Sequence, residues 1–176
     1  PARAKRVIFL CMRGGPSHVD TFDYKPQLEV DTGKPAPKQK NRKLMHSPWK
    51  FQQHGQSGLW ISELFPHVAR HADALCLLNG MHADVPSHPE CFVQLHTGSF
   101  QFVRPSMWAW VLYGLGSENA NMPGFITLNP PSRVGGAQNY GSSFLPAVYQ
   151  GTRIGQLGQS LKSATVGNLK NPRLDR

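Results

Sequence analysis

The chain has 176 residues, 39% of them hydrophobic, with 19 Lys plus Arg against 10 Asp plus Glu and a formal net charge of +9. That length suits one domain, and a charged fraction of only 16% excludes a disordered polyelectrolyte. No apolar run reaches the ~20 residues of a bilayer-spanning helix, and 17 Gly with 15 Pro argue against an all-helical bundle.

In chain order, Arg6 to Met12 is a short apolar run rich in large and β-branched side chains, closed by Gly14-Gly15-Pro16. It reads as a buried strand. Residues 24–58 mix prolines, lysines and glycines without a period and are expected to form a long basic excursion with one short strand near Trp49-Lys50-Phe51. The spacing of Leu64, Phe65, Val68 and Ala72 predicts a helix capped by Ser62 and running to about His71. Ala74 to Leu78 is a second continuous apolar run closed by Asn79-Gly80, so strand, helix and strand imply a parallel βαβ unit.

Two further helices are expected at Pro89 to Thr97 and Ser106 to Leu115, each closing on a glycine, Gly98 and Gly116. Pro123 to Leu128 supplies another strand. Weak helical patches follow at Ser143 to Tyr149 and Ile154 to Leu161. The fold class expected is therefore α/β, with a partial parallel sheet, flanking helices and long loops.

The positive charge is uneven. Residues 1–50 carry 11 bases and 4 acids, 51–150 carry 3 and 5, and 151–176 carry 5 and 1. The cluster Lys34, Lys38, Lys40, Arg42 and Lys43 lies among prolines with no interleaved aromatics and no groove-reading helix, so it reads as a solvated loop and not as a nucleic-acid site. Three cysteines, Cys11, Cys76 and Cys91, are too few for a disulfide framework and contain no Cys-x-x-Cys pair. Those in the two apolar runs, Cys11 and Cys76, are expected as core thiols.

In parallel sheets, ligands gather beyond the carboxyl ends of strands. After the first run, Gly14 and Gly15 can bring backbone amides to an oxyanion, and His18, Asp20 and Asp23 are metal-binding or proton-transfer types. A tight turn capped by Ser17 and the aspartates is the plain alternative. After the second run, Met81 to Glu90 holds His82, Asp84, His88 and Glu90 ahead of a helix. The helix start at Ser87, His88 and Pro89 can hold a phosphate or sulfate group, or simply cap the helix. Histidines 46, 54, 67, 71 and 96 fit exposed positions.

Several segments together resemble the DUF1501 family, sulfatase-like secreted proteins of planctomycete-type bacteria placed in the alkaline phosphatase superfamily. They are Arg6 through Pro26, Phe51 through Gly58, Ser62-Glu63-Leu64-Phe65-Pro66, and Gly141 through Thr152. The resemblance covers Lys5 to about Leu174 and implies an alkaline-phosphatase-like fold, with this chain as the N-terminal part of a longer domain.

A wider similarity to sulfatases runs from Leu64 to Leu95-His96-Thr97-Gly98. There the nucleophile is a cysteine matured to formylglycine in Cys-x-Pro-Ser-Arg, and the matching position here is His88; Ser87 is the adjacent hydroxyl. The metal-ligating Asp that ends the family's first strand is matched by Arg13 or Gly14, leaving His18 and Asp20 as the nearest substitutes.

The resemblance implies a metal-dependent hydrolase of sulfate or phosphate esters, polysaccharide esters among them. Ser87 and His88 would be catalytic, Gly14 and Gly15 anion-binding, and His18, Asp20 and His88 ligands of a divalent ion: zinc, calcium or magnesium. It also implies a periplasmic or secreted location, and the remaining superfamily ligands would lie beyond residue 176. The alternative is a non-catalytic module binding sulfated polysaccharide or another cell-envelope component.

Overall fold

The computed structural model describes residues 4–119, 121–160, 162, 164 and 166. The chain divides into two compact units, Pro1–Met81 and His82–Arg176.

In the first unit, α1 (Pro26–Asp31) precedes β1 (Pro35–Ala36) and β2 (Gln39–Lys43), which pair antiparallel. An antiparallel hairpin follows, β3 (Phe51–His54) with β4 (Leu59–Ser62), in which Phe51 faces Ser62 and His54 faces Leu59. The stretch 24–58 is therefore more ordered than its composition predicts. Because side chains alternate along a strand, Leu59 and Ile61 reach one face while Trp60 meets Tyr24 on the other, at 4.5 Å between centroids. Ile61 is fully buried with Ala69 and Ala72, against Phe22, Leu59, Phe65 and Leu75.

The turn between β3 and β4 is held from outside. Gln56 and Ser57 amides donate to the two carboxylate oxygens of Asp73 at 3.0 and 2.7 Å. The Ser57 amide first, then that of Gln56, holds the Asp73 carboxyl below the usual carboxylate range. Gly55 has φ +65°, and a Cβ there would overlap the Asp73 carboxylate, so glycine is required twice over.

Four expectations fail in this unit. Residues 6–12 form no strand among the described residues, and their apolar side chains are exposed except for the half-buried Cys11, with Ile8 and Leu10 at 83%. The run Ala74 to Leu78 is likewise no strand: Ala72–Ala74 is a 3-10 turn, and Cys76 and Leu78 are exposed. The predicted βαβ unit is absent, because an apolar run becomes a buried parallel strand only where neighbours satisfy its backbone and cover both faces. The predicted helix from Ser62 also shrinks to α2 (Pro66–Ala69). Pro66 lacks an N–H and biases Phe65 away from helical geometry, so Ser62 ends a strand instead of capping a helix.

In the second unit, α3 (His88–Thr97) and α4 (Met107–Leu115) form where expected and stop at Gly98 and Gly116, both at positive φ. The Ser106 hydroxyl caps α4 by accepting the Ala109 amide at 3.3 Å. Among the described residues, the parallel pair is β5 (Ile126–Leu128) with β6 (Thr152–Ile154), Ile126 opposite Thr152. Gly151, buried, approaches the Phe125 ring so closely that a Cβ would sit 2.9 Å from it. The patch at 143–149 becomes a 3-10 turn at Ala147–Tyr149. Of the patch at 154–161, Ile154 ends β6 and Leu161 lies outside the described residues. Helices and small sheets thus coexist in an α/β chain.

Truncating Ile61 to Ala should lower stability by about 2–5 kcal/mol, since the side chain is wholly buried in a small core. Gly151→Ala should cost about 1–3 kcal/mol by overpacking against Phe125 and Tyr140. Urea midpoints unchanged by either substitution would contradict these packing assignments.

Candidate functional site

The turn after the first apolar run begins with Gly14 and Gly15 at φ +98° and +69°, conformations that favour glycine. Ser17 then leads into a 3-10 turn over His18–Asp20. The His18 carbonyl accepts the amides of Thr21, Phe22 and Asp23 at 3.2, 3.2 and 3.0 Å. This curl sets the Asp23 carboxylate beside the His18 ring, with Nδ1 and Oδ2 3.0 Å apart. The other oxygen, Oδ1, takes the Lys25 ammonium at 2.9 Å and the Asn79 amide at 3.3 Å.

Asp23 is the pivot of this cluster. Its side chain is 14% exposed against 75% for His18, so the carboxylate is the better-covered, half-buried anchor and the imidazole projects outward. The Lys25 ammonium first, and the His18 ring after it, keep the Asp23 carboxyl below its ordinary range. A carboxylate on Nδ1 fixes the ring and leaves Nε2 available to solvent, the arrangement found behind metal-ligating and proton-transferring histidines. The Ser17 and Ser47 side chains hold the Asp20 carboxyl below the usual carboxylate range, with a smaller contribution from the His18 ring.

The second candidate segment lies in the other unit. Ser87 is the N-cap of α3, with extended backbone, but its hydroxyl donates to the Glu90 carboxylate and not to the helix amides. That bond, and then Glu90's own amide, keep the Glu90 carboxyl below the usual range. The start of α3 is thus served by its own carboxylate, which competes with any external anion. His88 is the first helical residue and exposed. The Cys91 thiol donates to the Val85 carbonyl at 2.6 Å and faces inward. A reciprocal pair, Asp84 amide to Gln94 Oε1 at 3.1 Å and Gln94 Nε2 to Asp84 Oδ2 at 2.6 Å, ties the loop to the helix.

Two histidines depart from the exposed positions expected of them, His54, half-buried in β3, and His96. His96 is buried, its ring tilted 37° against Phe92 at 4.5 Å between centroids, with Nδ1 2.8 Å from the Phe92 carbonyl. Burial pushes its pKa down, so the ring is neutral at pH 7.

The structure therefore joins His18 to Asp23 in the first unit and Ser87 to Glu90 in the second. Asp23 was named among the reactive types of this segment but given no role, whereas Lys25 and Asn79 enter the cluster without having been singled out. The readable signal for Asp23 was its place five residues after His18, one tight curl away; Asn79 lies 56 residues on and carried no signal. Among the described residues, no group of three or more His, Cys, Asp or Glu side chains is arranged to hold a metal ion.

The depressed pKa of Asp23 fixes a pH dependence. The unfolded carboxyl titrates near ~3.9, and the folded one lies below it, so ionised Asp23 stabilises the fold above about pH 4. That contribution fades as pH falls through the folded value. Asp23→Asn should reduce stability at neutral pH and flatten the acid limb of the stability profile. Parallel profiles for the two proteins would show that the carboxylate does not anchor the turn.

Comparison with known proteins adds one relationship. No curated protein and no solved structure matches the chain. The family model described as "Protein of unknown function (DUF1501)" matches residues 4–174. With that match spanning nearly all of its length, and with the Gly-Gly-Pro-Ser-His turn inside the matched region, the chain belongs to the DUF1501 family.

Proposed function

We propose that this chain is the N-terminal portion of a sulfatase/phosphatase-like, metal-dependent ester hydrolase with an alkaline-phosphatase-like architecture, exported to the periplasm or beyond. The observation that carries this reading is the His18–Asp23 pair, 3.0 Å apart, with an anchored carboxylate and an exposed ring. In this reading Asp23 orients the imidazole, and His18 Nε2 takes up or releases a proton at the ester, or ligates a divalent ion. Gly14 and Gly15 would supply amides to an oxyanion.

His18 and Asp20 alone fall short of a metal centre. They would need further ligands, so no step of the reaction is drawn through the ion. Its contribution, when bound, would be to polarise the ester oxygens. Ser87, the candidate nucleophile, already gives its hydroxyl hydrogen to Glu90, but a carboxylate with a depressed pKa is a weak base. Residues 1–176 by themselves should therefore turn over little ester. A second reading, binding of a sulfated polysaccharide without turnover, draws support from the basic β1–β2 ribbon.

Hydrolysis of aryl sulfate and aryl phosphate by the protein as its gene encodes it, with and without chelator, tests the first reading. Chelation should abolish the activity, and His18→Ala should lower kcat by about 10²-fold or more. Equal rates for wild type and His88→Ala would end the assignment of His88, and hydrolysis indifferent to chelator would end the metal-dependent reading.

A further inference from the structure

The cluster Lys34, Lys38, Lys40, Arg42 and Lys43 sits on a folded ribbon. Its base is closed by the Gly33 amide on the Leu44 carbonyl and the Leu44 amide on the Lys34 carbonyl, both 2.9 Å. The Thr32 hydroxyl meets His46 Nδ1 at 3.0 Å and accepts the His46 amide at 3.0 Å just below. Between Gly33 and Pro48 the sequence holds no acid and no Phe, Tyr or Trp. Lys34 is engaged by Asp31 at 2.6 Å, while Lys38, Arg42 and Lys43 are exposed.

We infer that the β1–β2 ribbon is a docking surface for a linear anionic polysaccharide, its cations meeting sulfate or carboxylate groups spaced along the chain. This rests on the binding reading above and not on the hydrolase reading. Three features carry it. The charge is of one sign and concentrated, in a protein of formal charge +9, so it attracts polyanions over a Debye length of about 8 Å at physiological salt. The ribbon is already paired, so ordering it on binding costs less than ordering a free loop. The absence of aromatic side chains removes the stacking platforms that single-stranded nucleic acids use, which leaves charge-to-charge contact with a polymer lacking bases.

The test is titration of the whole chain with heparin, neutral dextran and single-stranded DNA over a salt series. Heparin should bind with an affinity that falls steeply with salt, dextran should not bind, and DNA should bind more weakly than heparin at equal salt. The triple variant Lys38→Gln, Arg42→Gln, Lys43→Gln should lose about tenfold or more in heparin affinity and show a shallower salt slope. A control removing the same charge elsewhere, Arg104→Gln, Arg133→Gln, Arg153→Gln, should lose less than about threefold. Equal losses in the two variants, each folded by circular dichroism, would overturn the ribbon as the surface while leaving the binding reading standing. No heparin binding by the wild type would overturn both, and tighter binding of DNA would overturn the choice of ligand.

Discussion

The hydrogen bond from the Ser62 amide to the Thr21 carbonyl, 3.0 Å long, joins the two parts of the first unit that matter most. Thr21 belongs to the curl that sets His18 beside Asp23, and Ser62 ends the strand whose Ile61 is the centre of the core. Phe22, the next residue, packs its ring 4.8 Å from Phe65 and continues the same attachment through apolar contact. An exposed imidazole can be held in one orientation only if the carboxylate behind it is anchored, and here that anchor is fastened to a hairpin. The hairpin's own turn depends in the same way on a carboxylate from further along the chain, Asp73.

Carboxylates recur as the fixing elements of both units. Asp23 serves the first turn, Asp73 the hairpin, Asp84 the loop before α3 and Glu90 the start of that helix. Fully buried apolar side chains are few, Ile61 being the largest of them among the described residues. With so little apolar burial, hydrogen bonds to ionised acceptors carry more of the local order than they do in a thick core. Asp23, Asp73 and Glu90 all have lowered pKa values, so each loses its hold as it protonates.

The apolar runs show how far local pattern reaches. Residues 6–12 and 75–78 have the composition of buried strands, yet Val7, Ile8, Leu10 and Leu78 are largely exposed. Composition reports what a segment could bury, whereas burial needs a partner surface. The helices α3 and α4 were legible because their signals are local: Pro89 in the first turn, the Ser106 cap, and Gly98 and Gly116 at the ends. The β5–β6 pair was half legible, with Ile126 to Leu128 readable and Thr152–Ile154 hidden in a Gly-rich stretch.

By itself the amino-acid sequence determined the mixed α/β character, the two longer helices with their caps, the basic cluster at 34–43, and the reactive residues of the Gly14 to Asp23 and Ser87 to His88 segments. It also carried the family membership, since the motifs run along the chain. Only the tertiary structure decided that His18 pairs with Asp23, that Asn79 and Lys25 complete that cluster, that Glu90 takes up the Ser87 hydroxyl, and that the basic stretch is a ribbon. The reason is physical. Helix starts and stops are set by residues within one turn of each other, whereas strand pairing and side-chain partnership depend on which distant segment arrives.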